Sequence, residues 1–227
     1  MRTIALAAAC STLLILGAAR GEANLLVNGS FESPTSPAGG FINYPGGSTA
    51  ISGWTVVGVD SAVVNKTFTQ NGITFQSEDG SQWLDLSGVT SNSITSGVTQ
   101  QVATTIGTAY ALSFWVGSAT DNTLFFPATV DLSIDGGPRT SYTNPTAPSN
   151  SLNWKSFTVN FTATSATTQL TFFNGGAASN YLAALDNVSL DVAPAPVPAL
   201  GALQRVTLAG ALAGLALLRS RARTTPA

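Results

Sequence analysis

Five side chains carry most of the chemical interest of this chain. Trp83 and Asp85 stand two apart in D-G-S-Q-W-L-D-L-S-G (79–88), and Trp115 closes the run Y-A-L-S-F-W (110–115). Sugars are bound by laying their apolar ring faces on aromatic side chains while nearby carboxylates and amides take the hydroxyls. Trp83 and Asp85 share one face of their strand, opposite its leucines, and Trp115 lies opposite the aliphatic face of its own strand. That set suits a carbohydrate ligand. The alternative stays open that these rings cover sheet edges or form a second core layer. The other two residues are Glu32 and Asp186. Val188, Leu190 and Val192 share the parity of Asp186, so a strand there is expected to turn Asp186 towards the core. An inward carboxylate must be paired, hydrogen-bonded or on a metal. Glu32 follows the opening segment, which is expected to lie beside that last strand.

Much chemistry is excluded. The 227 residues include no histidine, and the one cysteine is Cys10. A cysteine or histidine zinc site has no ligands here, and a nucleophilic serine has no imidazole base. A Ser–Lys pair is formally possible with Lys66 or Lys155, but nothing in the sequence brings either amine to a serine hydroxyl. Glu78 with Asp79, or Asp131 with Asp135, are formal pairs for glycoside hydrolysis. The latter two fall on the solvent side of a strand. The chain therefore reads as a non-enzyme. Residues 24–192 hold ten acidic and three basic residues, a net charge of −7. Such a domain repels phosphate backbones, which argues against a nucleic-acid partner.

The elements that must position these residues are strands. Tyr110, Leu112, Phe114 and Val116 alternate with Ala111, Ser113 and Trp115. Val130, Leu132 and Ile134 alternate with Asp131, Ser133 and Asp135, and Phe157, Val159 and Phe161 with Thr158, Asn160 and Thr162. Period two implies one buried and one wet face per strand, hence antiparallel sheets. The expectation is an all-β fold, an antiparallel jelly-roll β-sandwich of eight to ten strands, with no helix between residues 24 and 192. Residues 24–34 and 185–192 are read as its first and last strands. The stretches 33–48 and 135–151 read as loops because Pro and Gly interrupt them. Trp54 and Trp154 are expected in the core. Tyr44, Phe125 and Phe126 are read as additions to the rim of a sugar site.

The two ends read as targeting segments. Residues 1–23 have the form of a signal peptide, with Arg2, an apolar run over 4–17 and a Gly-Glu-Ala cleavage site. Residues 193–205 hold the Pro-rich stretch A-P-A-P-V-P, a stiff spacer. Residues 206–227 begin with a thirteen-residue apolar run closed by Arg219, Arg221 and Arg223. They are read as one C-terminal transmembrane helix with a cytoplasmic, Arg-rich end. The order of spacer, short apolar helix and Arg cluster resembles the PEP-CTERM class of bacterial sorting tails. That resemblance implies an exosortase-like processing enzyme as partner and a cell surface, periplasm or matrix as address. The Pro-Glu-Pro motif itself is absent, and a plain C-terminal anchor remains the alternative.

The middle of the chain resembles the domain-of-unknown-function-642 family, within the galactose-binding-like jelly rolls. The resemblance is carried by N-L-L-V-N-G-S-F-E-S-P (24–34), I-S-G-W-T-V (51–56), D-G-S-Q-W-L-D-L-S-G (79–88), Gln100 before Y-A-L-S-F (110–114), Trp154, and L-D-N-V-S-L (185–190). It implies polysaccharide binding, and it implies that Glu32 and Asp186 help hold a structural calcium ion with backbone carbonyls. The alternative at that pair is that both carboxylates accept backbone N–H groups in turns. A structural or adhesive module that binds protein or itself, and a polysaccharide-cleaving enzyme, are the competing functions.

Overall fold

In the computed structural model, residues 24–90, 92–119, 127–145, 151–176 and 182–194 are described. The leader, the loop with Phe125 and Phe126, and all of the tail from residue 195 onward lie outside them. Among the described residues there is no helix. Two antiparallel sheets pack face to face as a jelly-roll sandwich. The first holds β1 (Phe41–Pro45), β3 (Asp60–Asn65), β6 (Gln82–Asp85), β13 (Ala184–Val192), β8 (Ala109–Ser118) and β11 (Asn153–Thr162), in that order across the sheet. The second runs β10 (Thr140–Asn144), β9 (Ala128–Ile134), β12 (Thr167–Asn174), β7 (Gly97–Ala103), β2 (Thr55–Val57). A small hairpin, β4 (Thr69–Gln70) with β5 (Ile73–Thr74), stands apart from both.

The alternating runs do what period two requires. Leu112, Phe114 and Val116 of β8 meet Leu132, Leu170 and Phe172 of the opposite sheet in one core. Phe114 lies 5.2 Å from Phe172, edge to face. Trp54 is also in this core, as expected, with Phe31 tilted on it at 5.4 Å and its Nε1–H donating to the Asn28 carbonyl.

Three expectations need correction. Residues 33–48 and 135–151 are not loops throughout, because β1 and β10 lie within them. Both strands are short and sit at a sheet edge, where one side of the backbone needs no strand partner. Tyr44 therefore belongs to β1, and its ring is buried in the core instead of on a rim. Third, β3 and β6 do not have one wet face, since nearly all their residues are buried. Ala62, Val64 and Trp83 face a second apolar layer outside the sheet, formed with Ile73, Phe75, Leu152 and Leu182.

The opening segment does lie against the last strand, but it is not a regular strand itself. Leu25 N–H donates to the Leu190 carbonyl, and Val188 N–H to the Gly29 carbonyl. Asn24 supplies side-chain bonds to Val188 and Leu190. Asn28 and Phe31 both have positive φ, so the chain turns repeatedly while following β13. Gln100 of β7 reaches it from the second sheet. Its Oε1 accepts from Val27 N–H at 2.8 Å and its Nε2 donates to the Val27 carbonyl at 3.0 Å. One side chain thus replaces a ladder partner. Gln100→Leu is expected to leave both Val27 groups to water and to cost about 1 kcal/mol, read by urea unfolding.

Candidate functional site

The decisive local feature is in β13. Between Asp186 and Ser189 the register against β8 gains one residue, a β-bulge, and Asn187 there takes φ +47°. Leu185 and Val188 both enter the core, while Asp186 turns to the outer face. Simple parity had placed Asp186 on the inner side. The extra residue breaks that alternation, which is why the inward expectation fails.

On the outer face Asp186 is fully buried beneath the loop that precedes β6. Its Oδ2 accepts the Glu78 and Asp79 N–H groups at 2.9 and 3.0 Å, and its Oδ1 accepts Asn187 N–H at 2.7 Å. Glu32 grips the other end of the same loop, its Oε1 accepting from Ser81 and Gln82 N–H at 2.8 and 3.0 Å. Asn187 Nδ2 donates to Glu78 Oε2. The two carboxylates are brought to one loop, and the bonds seen go to backbone N–H. Those bonds occupy Glu32 Oε1 and Asp186 Oδ2 with two N–H groups each and Asp186 Oδ1 with one, so a calcium ion held by this pair would use the remaining lone pairs of Glu32 Oε2 and Asp186 Oδ1. Among the described residues no three acidic side chains gather as a metal cluster. Burial raises the Asp186 carboxyl to about 8, with the Glu78 charge adding to it and the backbone donors opposing it.

Trp83 and Asp85 share a pocket on the outer face of the six-stranded sheet, with a cavity volume of about 560 Å³. The floor comes from β3 and β6, through Ala62, Val64, Trp83 and Asp85. The wall comes from Phe68 and Phe75, which flank the β4–β5 hairpin, and from Phe41 of β1. The hairpin forms because Asn71 and Gly72 both have positive φ, the requirement of a tight two-residue turn. Phe75 N–H then bonds the Phe68 carbonyl and sets the two rings 5.6 Å apart. Phe41 meets Phe68 edge-on at 5.5 Å. Thr69, Gln70 and Asn71 make a polar rim.

The sequence-derived site residues divide. Trp83 lines the pocket but is only 1% exposed, stacked by Phe75 and donating its Nε1–H to the Phe75 carbonyl. It is a floor for the pocket and has no open face for a sugar ring. The open ring is Phe41, 40% exposed. Trp115 is half-buried, is separated from Trp83 by β13, and does not line the pocket. Trp154 joins the outer layer, edge-on to Trp83 at 6.2 Å. Asp85 accepts Ser87 N–H and Oγ–H at 2.9 and 2.6 Å, and Ala183 N–H at 3.4 Å, all at Oδ1. Burial lifts its carboxyl to about 6 against those bonds, and the Asp60 charge adds to the rise. Phe41, Phe68 and Phe75 escaped sequence reasoning. The signal was F-T-Q-N-G-I-T-F (68–75), an Asn-Gly turn with phenylalanines placed symmetrically about it.

The fold and site define a jelly-roll domain with an aromatic pocket on one sheet that holds a carboxylate. A family model described as "Protein of unknown function (DUF642)" matches residues 24–191, and the chain belongs to that family. No curated protein matches it. Among solved structures it is similar to an exo-β-1,3-galactanase from Phanerochaete chrysosporium, at 18% identity and a TM-score of 0.41. That match covers 67% of this chain and 29% of the galactanase chain, so this chain spans under a third of that protein. It is also similar to a family 35 carbohydrate binding module from Clostridium thermocellum, at 14% identity and a TM-score of 0.37, covering 67% of this chain and 98% of the module.

Asp186 and Asp85 set a pH dependence. Their folded pKa values, about 8 and about 6, lie above the ordinary carboxylate value of 3.8. The folded state then binds more protons than the unfolded one, so stability falls as pH rises from about 4 towards 8. Asp186→Asn removes its share of that slope in urea unfolding followed across pH 4–8.

Proposed function

We propose that this chain is an exported, non-catalytic surface or matrix protein that binds carbohydrate in the pocket beneath the β4–β5 hairpin. The observation that carries the reading is the pocket's make-up. Phe41 and Phe68 offer ring surface, Asp85 offers a carboxylate, and Thr69, Gln70 and Asn71 offer hydrogen-bonding groups at the rim. Those are the elements that sugar recognition needs, in a cavity of ligand size. A glycosidase needs two carboxylates flanking the scissile bond. Among the described residues this pocket is lined by one acid, Asp85, which supports a binding role over hydrolysis. Delivery rests on the sequence of the two ends: a leader over 1–23, and a PEP-CTERM-like tail over 193–227 that an exosortase-like enzyme would process. The ligand would be an exopolysaccharide or wall polymer met outside the cell.

A second reading has its own support. β11 is a ten-residue edge strand without proline, and its outer side is unpaired among the described residues. Such an edge can add a strand from another molecule, the basis of an adhesive or self-associating module.

Glycan-array binding and calorimetry separate the two. The purified protein is expected to bind at least one polysaccharide, and Phe41→Ala, a substitution at an exposed ring, to weaken it about tenfold. Array-wide absence of binding together with concentration-dependent self-association would reject the carbohydrate reading in favour of the second.

A further inference from the structure

The charges around the pocket say which sugars it would select. Among the described residues that line it, Asp85 is the one with a formal charge. Its Oδ1 takes the bonds from Ser87 and Ala183, and among the described residues nothing donates to Oδ2. A second carboxylate stands behind the wall. Asp60 lies against Gly88, itself a lining residue, so closely that a Cβ on that glycine would fall 2.3 Å from Asp60 Oδ1. Burial works against the Asp60 charge, but bonds from Val89, Asn43 and Thr90 outweigh it and hold the carboxyl below its usual range. Asp60 is therefore a fixed negative charge beside the pocket. Beside Asp85 in the same pocket lies a continuous aromatic row, Phe41 to Phe68 to Phe75 to Trp83, with successive centroids 5.5, 5.6 and 6.2 Å apart.

A carboxylate beside aromatic rings, with a second negative charge behind it and no lysine or arginine in the lining among the described residues, is complementary to a cation. An ammonium group is attracted to ring faces by their quadrupole and to Asp85 by charge. A neutral sugar leaves Asp85 partly desolvated without a counter-charge, and a uronate adds a third negative charge. Resting on the reading of the pocket as a glycan site, we propose that it selects amino sugars with a free amine, the ammonium sitting between Asp85 and the Phe41–Phe68 wall.

The test uses the purified protein with three short oligosaccharides of one backbone: free-amine glucosamine, its N-acetylated form, and the neutral glucose form. Calorimetry at neutral pH is expected to show the free-amine oligomer binding about tenfold tighter than either of the others, the scale of one desolvated cation–π contact. Asp85→Asn should erase that preference, so that the free-amine and neutral oligomers bind with the same affinity. Asp131→Asn, on the opposite sheet, should leave the preference intact. An equal loss in both variants means attraction to the acidic domain at large and overturns the proposal. If Asp85→Asn does not fold, Phe41→Ala decides: it must weaken the free-amine oligomer more than the neutral one. Equal or tighter binding of the neutral or acetylated form overturns the amino-sugar proposal and leaves the carbohydrate reading standing. Binding of none of the three, when other glycans bind on the array, also overturns this proposal alone. Binding of no glycan at all overturns both.

Discussion

An extra residue at Asn187 in β13 sets the geometry of the whole outer face. A bulge lets two apolar residues, Leu185 and Val188, fill the core while the acid between them turns outward. Once outside, the Asp186 carboxylate cannot stay buried without donors. It takes them from the backbone of residues 78 and 79, and so ties the loop before β6 to the sheet. Glu32 ties the same loop from the opening segment. The opening segment in turn is held along β13 by Asn24 and Gly29. Chain start, chain end and middle loop are thus joined by one set of hydrogen bonds, anchored at the buried Asp186.

That tethering makes a second layer possible. A small sandwich with one core would leave the outer faces of β3 and β6 wet. Here Trp83 and Val64 are roofed by Phe75, Ile73 and Leu152, and Trp154 is anchored by its Nε1–H on the Gln76 carbonyl. The roof stops short of Asp85. The gap between the hairpin, β1 and the 88–89 turn is the pocket. Its character follows from what surrounds it: aromatic rings that could not all find room in the main core, and a carboxylate whose burial resists ionisation.

Much of the architecture was legible in side-chain alternation. Leu112, Phe114 and Val116 announced β8, and Val130 and Leu132 announced β9, because a half-buried strand must alternate. The likeness of 24–34 and 185–190 to a known family pointed to neighbouring ends, and they are neighbours. Edge strands were less visible. β1 and β10 are five residues each with Pro or Gly nearby, and β10 is polar apart from Tyr142, since an edge needs less apolar surface. The site was legible only in part. Trp83 and Asp85 do share a pocket, but Trp115 stands beyond β13, and the exposed phenylalanine lies forty residues upstream of them.

By itself, the order of residues determined the strand periodicity, the absence of histidine and thiol chemistry in the domain, and the acidic balance, because composition and period are local properties. Tertiary structure alone decided which face Asp186 takes, that Trp83 is covered, and that Phe41 and Phe68 meet in the pocket that Asp85 lines. Those outcomes depend on one inserted residue in β13 and on a hairpin folding back over a distant strand. Neither leaves a periodic trace, since a bulge cancels parity and a long-range contact has no fixed spacing.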